Sequence, residues 1–252
     1  MKLKFIIAPA KKMKLDQDSF AVQSQPDFLD KTQILWDFLK EQDFEQLKKI
    51  WNANDKIVEQ NQKRLKNESL DRNLTPAIVA FDGIQYQYLA ADVLEQGALD
   101  YLQKNLRIMS ALYGLLRPFD GGVAYRLEMQ TGMVGFKDYS LYHFWGNKLY
   151  QELYKDEKCV INLASKEYSK LISPYVRDDQ QFITITFLEK RKDKWRQIAT
   201  HSKMARGAMM RFAAQKRVKN IDELKQFTDF GFKFSEKDSS EKELVFKKTV
   251  NS

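Results

Sequence analysis

The chain reads as an α+β protein, with a mixed sheet, flanking helices and one compact domain over residues 1–252. Strand-length apolar runs alternate with segments at helical spacing, without the strict strand–helix–strand rhythm of a doubly wound sheet. No internal repeat or low-complexity linker divides them. A 43% hydrophobic content, with 17 Phe, 11 Tyr and 4 Trp, can fill one large core.

Residues 2–9 alternate Leu3, Phe5 and Ile7 on one face, a short strand that Pro9 ends. Segments 27–40, 43–51 and 55–66 carry helical periodicity, and each opens on a capping aspartate: Asp27, Asp43 and Asp55. Ala77–Phe81 is a continuous apolar run before Asp82 and Gly83, which predicts a buried strand and turn. Helices are expected over 86–94 and 98–104, a strand over 106–113, and a turn at Asp120, Gly121 and Gly122. One aromatic-rich helix is expected over 141–154, with Tyr142, Trp145 and Leu149 on one side. Segment 159–164 reads as a buried strand, followed by a helix that Ser165 caps. Segment 181–189 alternates and can pair with 195–200 across a charged turn. A long helix over 202–218 and a hairpin of 230–234 with 243–247 complete the chain.

The opening residues are too short an apolar run for a signal peptide, and no stretch approaches 18 consecutive apolar residues. Cys159 is the only cysteine, so an intrachain disulfide is excluded and a reducing compartment fits. A cytoplasmic protein with no membrane partner is expected; oligomeric state is left open. With one Cys and two separated histidines, His143 and His201, a Cys/His zinc site is excluded. Direct iron binding lacks a Glu-x-x-His pair to mark it, and neither metal nor cofactor is expected. Cys159 itself, inside an apolar run, reads as a small core side chain. No Walker or dinucleotide-binding glycine motif occurs.

The formal charge of +8 is concentrated. Between Phe187 and Lys219 eleven Lys and Arg face only Glu189 and Asp193, and the first 14 residues add Lys2, Lys4, Lys11, Lys12 and Lys14 without an acid. Such islands favour polyanions. In the 202–218 helix, Met204, Ala205, Ala208, Met209, Phe212 and Ala213 share one face. Lys203, Arg206 and Arg217 lie opposite, with Arg211 at the edge, and Gly207 and Ala214 leave room on the cationic side. Ser202 as N-cap would leave first-turn amides for an anion. This is either a phosphate-binding face or a solvated amphipathic helix. Tyr125-Arg126-Leu127-Glu128 places Arg126 beside Glu128, as a site element or a structural pair. Residues 113–118 offer a weak hairpin of the kind found in helix-hairpin-helix elements, but Leu116 stands where a second glycine belongs.

Together these segments resemble one family. They are residues 8–11, 106–118, 125–129, 144–146 and 160–165 with Glu167 and Tyr168, then 205–207 with Met209 and Arg211, and the closing 243–247. In order and spacing they are similar to the peroxide-stress proteins of the YaaA family over essentially the whole chain. The resemblance implies an unusual α+β fold with a helix-hairpin-helix-like element beside a positively charged cleft that binds DNA. It also implies a role in surviving hydrogen peroxide, protecting DNA and limiting free intracellular iron. Matched by motif or by their place in the basic islands, Lys11, Lys12, Tyr125, Arg126, Glu128, Asn162, Ser165, Glu167, Lys203, Arg206 and Arg211 are the candidate cleft residues. The family's usual serine before the Pro-Ala-Lys run is Ala8 here, so no hydroxyl role is carried to that position.

The expectation is therefore a DNA-binding stress protein whose phosphate contacts give affinity without sequence information. Tyr125 or Trp145 would stack on an exposed base. The alternative is an enzyme, lyase- or glycosylase-like, acting on a nucleic-acid or nucleobase-like substrate, with Lys11 and Glu128 as its catalytic candidates. A small acidic metabolite is a further possible occupant.

Overall fold

In the computed structural model, which describes residues 3–137 and 139–249, the apolar runs build the sheet and the amphipathic segments cover it. Lys2, part of the N-terminal basic island, lies outside the described residues.

The chain opens with β1 (Leu3–Ile7) and the two-residue β2 (Lys12–Met13), followed by three helices, α1 (Leu29–Glu41), α2 (Phe44–Trp51) and α3 (Asp55–Asn67). Asp43 and Gln46 form a reciprocal capping box on α2. The cap of α3 is Asn54 rather than Asp55, its side chain accepting from the Ile57 amide at 3.1 Å. Next come β3 (Thr75–Pro76), α4 (Ala77–Ala80) and β4 (Phe81–Asp82). The expected strand at Ala77–Phe81 is thus mostly one helical turn. A short buried apolar run has no periodicity to separate the two states, and Pro76 just before it is well placed to start a helix.

Further along are α5 (Ile84–Leu89), α6 (Gln96–Asn105), β5 (Leu106–Ser110), β6 (Gly114–Leu116) and β7 (Gly121–Gly122). Helix α5 ends early because Ala90 turns left-handed, and a 3-10 turn over Ala91–Val93 replaces the expected last turn. The 113–118 segment is not a hairpin between helices: β6 pairs antiparallel with β5 and is buried. The expected Asp120–Gly122 turn instead places Gly121 and Gly122 against Pro76 and Thr75.

The remaining elements are α7 (Leu141–Trp145), α8 (Lys148–Leu153), β8 (Cys159–Leu163), α9 (Lys166–Ser169), β9 (Gln181–Arg191), β10 (Lys194–Arg196), α10 (Ala199–Lys216), α11 (Ile221–Leu224), β11 (Lys233–Phe234) and β12 (Glu243–Thr249). The single helix expected over 141–154 is two, because Gly146 has φ +50° and ψ −131°, a conformation that glycine tolerates and a helix does not contain.

The main sheet has eight strands, ordered β11-β12-β9-β8-β1-β5-β6, with β10 hairpinned onto β9. Its centre, β12 to β5, is parallel, while β6, β10 and β11 pair antiparallel. This is a mixed sheet in one compact domain, as expected. The buried central strand β8 shows no alternation, whereas β9 buries Ile183, Ile185, Phe187 and Glu189 and leaves Phe182, Thr184 and Thr186 half-buried. Helix α10 packs on α5 and α6.

Candidate functional site

Strands β1 and β8 are parallel neighbours in register from Leu3 with Cys159 to Ile7 with Leu163. Their carboxyl ends therefore release residues 8–11 and 164–168 side by side, where open sheets with a parallel centre place their ligands. A cleft of about 480 Å³ opens there. Pro9, Ile84, Leu127 and Tyr168 give it apolar walls, and Lys11, Lys12, Lys203 and Arg206 bring cations. Ala8 acts through its backbone: its carbonyl accepts from Gln85 Nε2 at 3.1 Å and Tyr86 Oη at 3.0 Å. Those bonds hold the β1 exit against α5 through the backbone, whatever side chain stands at that position.

Two of the four cleft cations, Lys11 and Lys12, are paired. Lys11 Nζ lies 2.6 Å from Glu128 Oε2, and Arg126 reaches the other oxygen of the same carboxylate at 3.1 Å. Lys12 meets Asp82 at 2.5 Å. The Glu167 carboxyl is raised above the ordinary glutamate range, first by burial and then by the nearby Glu128 charge. Its Oε1 is buried with no hydrogen-bond partner.

A second, larger cleft of about 810 Å³ lies over β8, β9 and the start of β12. Asn162, Thr184 and Thr186 form its polar floor, and Lys166, Lys170 and Arg177 line it. Asn162 Nδ2 donates to Thr184 Oγ1 at 3.2 Å, while its Oδ1 accepts from the Ala164 amide at 2.9 Å. Arg206 lines both clefts. It is half-buried, burial draws its pKa downward, and Nε has no partner. Among the described residues no carboxylate pairs with it, whereas Arg211 lies 3.6 Å from Asp229 and Arg217 3.0 Å from Glu95. An uncompensated, partly desolvated guanidinium is costly to keep unless an anion completes it.

Helix α10 differs from its sequence reading in ways that matter here. It starts at Ala199, so Ser202 is not the cap but a buried first-turn residue whose hydroxyl is unpartnered. Gly207 and Ala214 are buried too, and the expected open cationic face is largely packed. Close packing is the reason: a Cβ on Gly207 would sit 2.0 Å from the Gln85 carbonyl oxygen. His201 Nδ1 contacts Glu189 Oε1 at 2.6 Å and ties the helix start to β9. Glu189, in sequence one of two acids in a basic run, is a buried hub that also meets Arg191 at 3.3 Å and Lys248 at 4.0 Å.

The structure brings Lys11, Lys12, Glu128, Ser165, Glu167, Lys203 and Arg206 to the smaller cleft and Asn162 to the larger. Arg126 stands behind Glu128, and Arg211 lines neither cleft. Tyr125 is buried, its hydroxyl 2.7 Å from Ser110 Oγ. Trp145 is fully buried and donates to the Ala111 carbonyl at 3.0 Å. Neither ring is free to stack on a base. Ser165 occupies the N-cap position of α9 without a side-chain capping bond. Cys159 is buried, and burial pushes its thiol up to about 11. The sequence reading missed Gln85, Asp82 and Gly83. Only the Asp-Gly pair carried a signal, and it marked a turn rather than a site.

Among the described residues no group of three or more His, Cys, Asp or Glu side chains is placed to hold a metal. No helix among them is long and apolar enough to cross a membrane.

The fold and site define an α+β domain with paired clefts meeting at an unpaired arginine. Residues 3–238 match the family described as peroxide stress protein YaaA, and the chain belongs to that family. A UPF0246 protein of Lactobacillus johnsonii is 61% identical over 98% of each chain. One from Lactobacillus acidophilus is 56% identical over 97% of each, and one from Ligilactobacillus salivarius 45% identical over 97% of this chain and 99% of its own.

Proposed function

We propose that this protein serves the response to hydrogen peroxide by binding DNA along the two clefts that meet at Arg206. In that role it protects the DNA and helps limit free intracellular iron. The observation that carries the reading is the unpaired Arg206. In the smaller cleft Glu128 and Asp82 neutralise Lys11 and Lys12, which leaves Arg206 and the exposed Lys203 for phosphates, and Lys166 and Lys170 continue the cationic lining in the larger cleft. The β9–β10 hairpin supports it, with Lys190, Arg191, Lys192, Lys194 and Arg196 all exposed beside Gln197 of the larger cleft. Phosphate contacts of this kind release counterions, each adding about 0.9 to the slope of log affinity against log salt on duplex DNA.

Fluorescence anisotropy with duplex DNA across a salt series tests the reading. Arg206→Ala combined with Lys203→Ala should weaken binding and reduce the slope by about 2. Arg211→Ala, already paired with Asp229 away from both clefts, should change neither. Equal affinity and slope in wild type and double variant would remove the clefts from the interface.

A second reading, an enzyme acting on a nucleic-acid or nucleobase-like substrate, is favoured by the 2.6 Å contact of Lys11 with Glu128 at the cleft. Borohydride trapping of a covalent complex with abasic-site DNA, lost in Lys11→Ala, would establish it; no trapped complex would leave the binding role alone.

A further inference from the structure

The smaller cleft differs from a simple backbone track. Its volume of about 480 Å³ lies within the range of about 300–1,000 Å³ that small-ligand pockets occupy. Its walls segregate by chemistry: Pro9, Ile84, Leu127 and Tyr168 offer flat apolar contact, while Lys203 and Arg206 stand on α10. Two unpartnered polar atoms belong to this cleft, Glu167 Oε1 and Arg206 Nε. Proteins leave few buried polar atoms unsatisfied, and two at one cavity, one acidic and one basic, call for a ligand with both a donor edge and an anion. A sugar–phosphate track alone supplies the anion and nothing for the carboxyl.

We infer that the smaller cleft receives a single nucleotide unit, its phosphate toward Arg206 and Lys203 and its base edge toward Glu167. Where the unit belongs to a DNA strand, the inference rests on the DNA-binding reading: the nucleotide is extruded from the duplex, and the strand continues into the larger cleft that shares Arg206. A free deoxynucleoside monophosphate presents the same chemistry. Glu167 Oε1, buried without a partner, can accept from the amino or ring N–H edge of a heterocycle. Tyr168 supplies the apolar wall that an unstacked base needs.

Two measurements on the full chain separate the sources. Isothermal titration calorimetry with each of the four deoxynucleoside 5′-monophosphates, against inorganic phosphate and deoxynucleosides, reads the free unit. Duplex DNA carrying 2-aminopurine opposite a mismatch reads extrusion, because the probe brightens on leaving the stack, while anisotropy on the same sample reads binding. A several-fold brightening at saturation is expected. Glu167→Gln, near-isosteric and verified by its melting curve, should weaken capture of the unit about tenfold, read as weaker monophosphate binding and lower brightening at saturation. Duplex binding without brightening, together with no monophosphate heat, would overturn the inference and leave DNA binding standing. Monophosphate heat without duplex binding would support the cleft as a nucleotide site and overturn the DNA reading. Neither signal would overturn both.

Discussion

Gly207 is the point where α10 touches α5 through backbone, and replacing it with alanine measures how tightly Arg206 is held. The added Cβ would lie 2.0 Å from the Gln85 carbonyl oxygen and 3.0 Å from both the Gln85 carbonyl carbon and the Leu89 amide nitrogen. Ordinary contact begins near 3.4 Å, so the helices must separate by more than an ångström, and no flexible side chain is there to yield. Overpacking of this kind costs about 1–3 kcal/mol, with the upper end expected for a backbone obstacle. Alanine returns about 1 kcal/mol through its better helix propensity. The net expectation is a loss of about 2 kcal/mol in urea unfolding. Arg206 sits one residue before the contact, and Gln85 lines the same cleft, so DNA affinity should fall as well. Gly132→Ala, where a Cβ meets nothing within 4 Å, should stay within about 0.5 kcal/mol of wild type. A Gly207→Ala protein as stable as wild type, with unchanged DNA affinity, would refute the claim that this crossing fixes Arg206.

Asp120 is fully buried and accepts from Ser24 Oγ at 2.5 Å, the Arg117 amide at 2.7 Å and Arg117 Nε at 3.0 Å. Asp120→Ala leaves those donors unmatched and should cost about 3 kcal/mol by chemical denaturation; a loss under about 1 kcal/mol would show the network relaxes without it. Glu167 titrates in the opposite sense to a salt-bridged carboxylate. Its folded pKa is raised by burial and Glu128, despite the Met129 and Gln130 amides and Lys11, so the folded state holds its proton longer than the unfolded chain. Stability from this group is present below the ordinary glutamate range and is lost as pH rises through the raised value. Glu167→Gln should therefore melt higher than wild type at pH 7, with the difference shrinking toward pH 4; a constant difference across that span would remove the titration from the explanation.

The strands were legible because the signals that specify them are local. Leu3, Phe5 and Ile7 alternate, Cys159–Leu163 is apolar throughout, and Gln181–Arg191 alternates until charge takes over. Where tertiary partners decide, the sequence was silent. Ala77–Ala80 coils into one turn whose first amides donate to the Asp120 and Pro118 carbonyls, partners 40 residues or so away. Residues 114–116 become a buried edge strand by pairing with β5, which no residue in the segment announces. The candidate site was half legible. The motif positions 8–11, 128, 165–168 and 203–206 do converge, but Tyr125 and Arg211 belong to the same motifs and serve packing and a half-buried ion pair.

Helix α10 shows why a helical wheel misplaces a site in such a protein. The wheel sorts side chains by polarity and assumes one buried face, so Gly207 and Ala214 among the cations read as open space. Small residues carry the opposite meaning when two helices meet, because they let backbones approach. With Ala205, Ala208, Met209 and Ala213 buried on one side and Gly207, Met210 and Ala214 on the other, α10 is sandwiched rather than solvated. Arg206 is consequently trapped near the α5 crossing with its guanidinium partly desolvated, while Arg211 and Arg217, farther along, reach acids. A solvated arginine is one charge among eleven in that segment; an arginine deprived of water and of a carboxylate is a site waiting for an anion. The burial that defeats the wheel is thus the same burial that singles out Arg206 as the residue to test first.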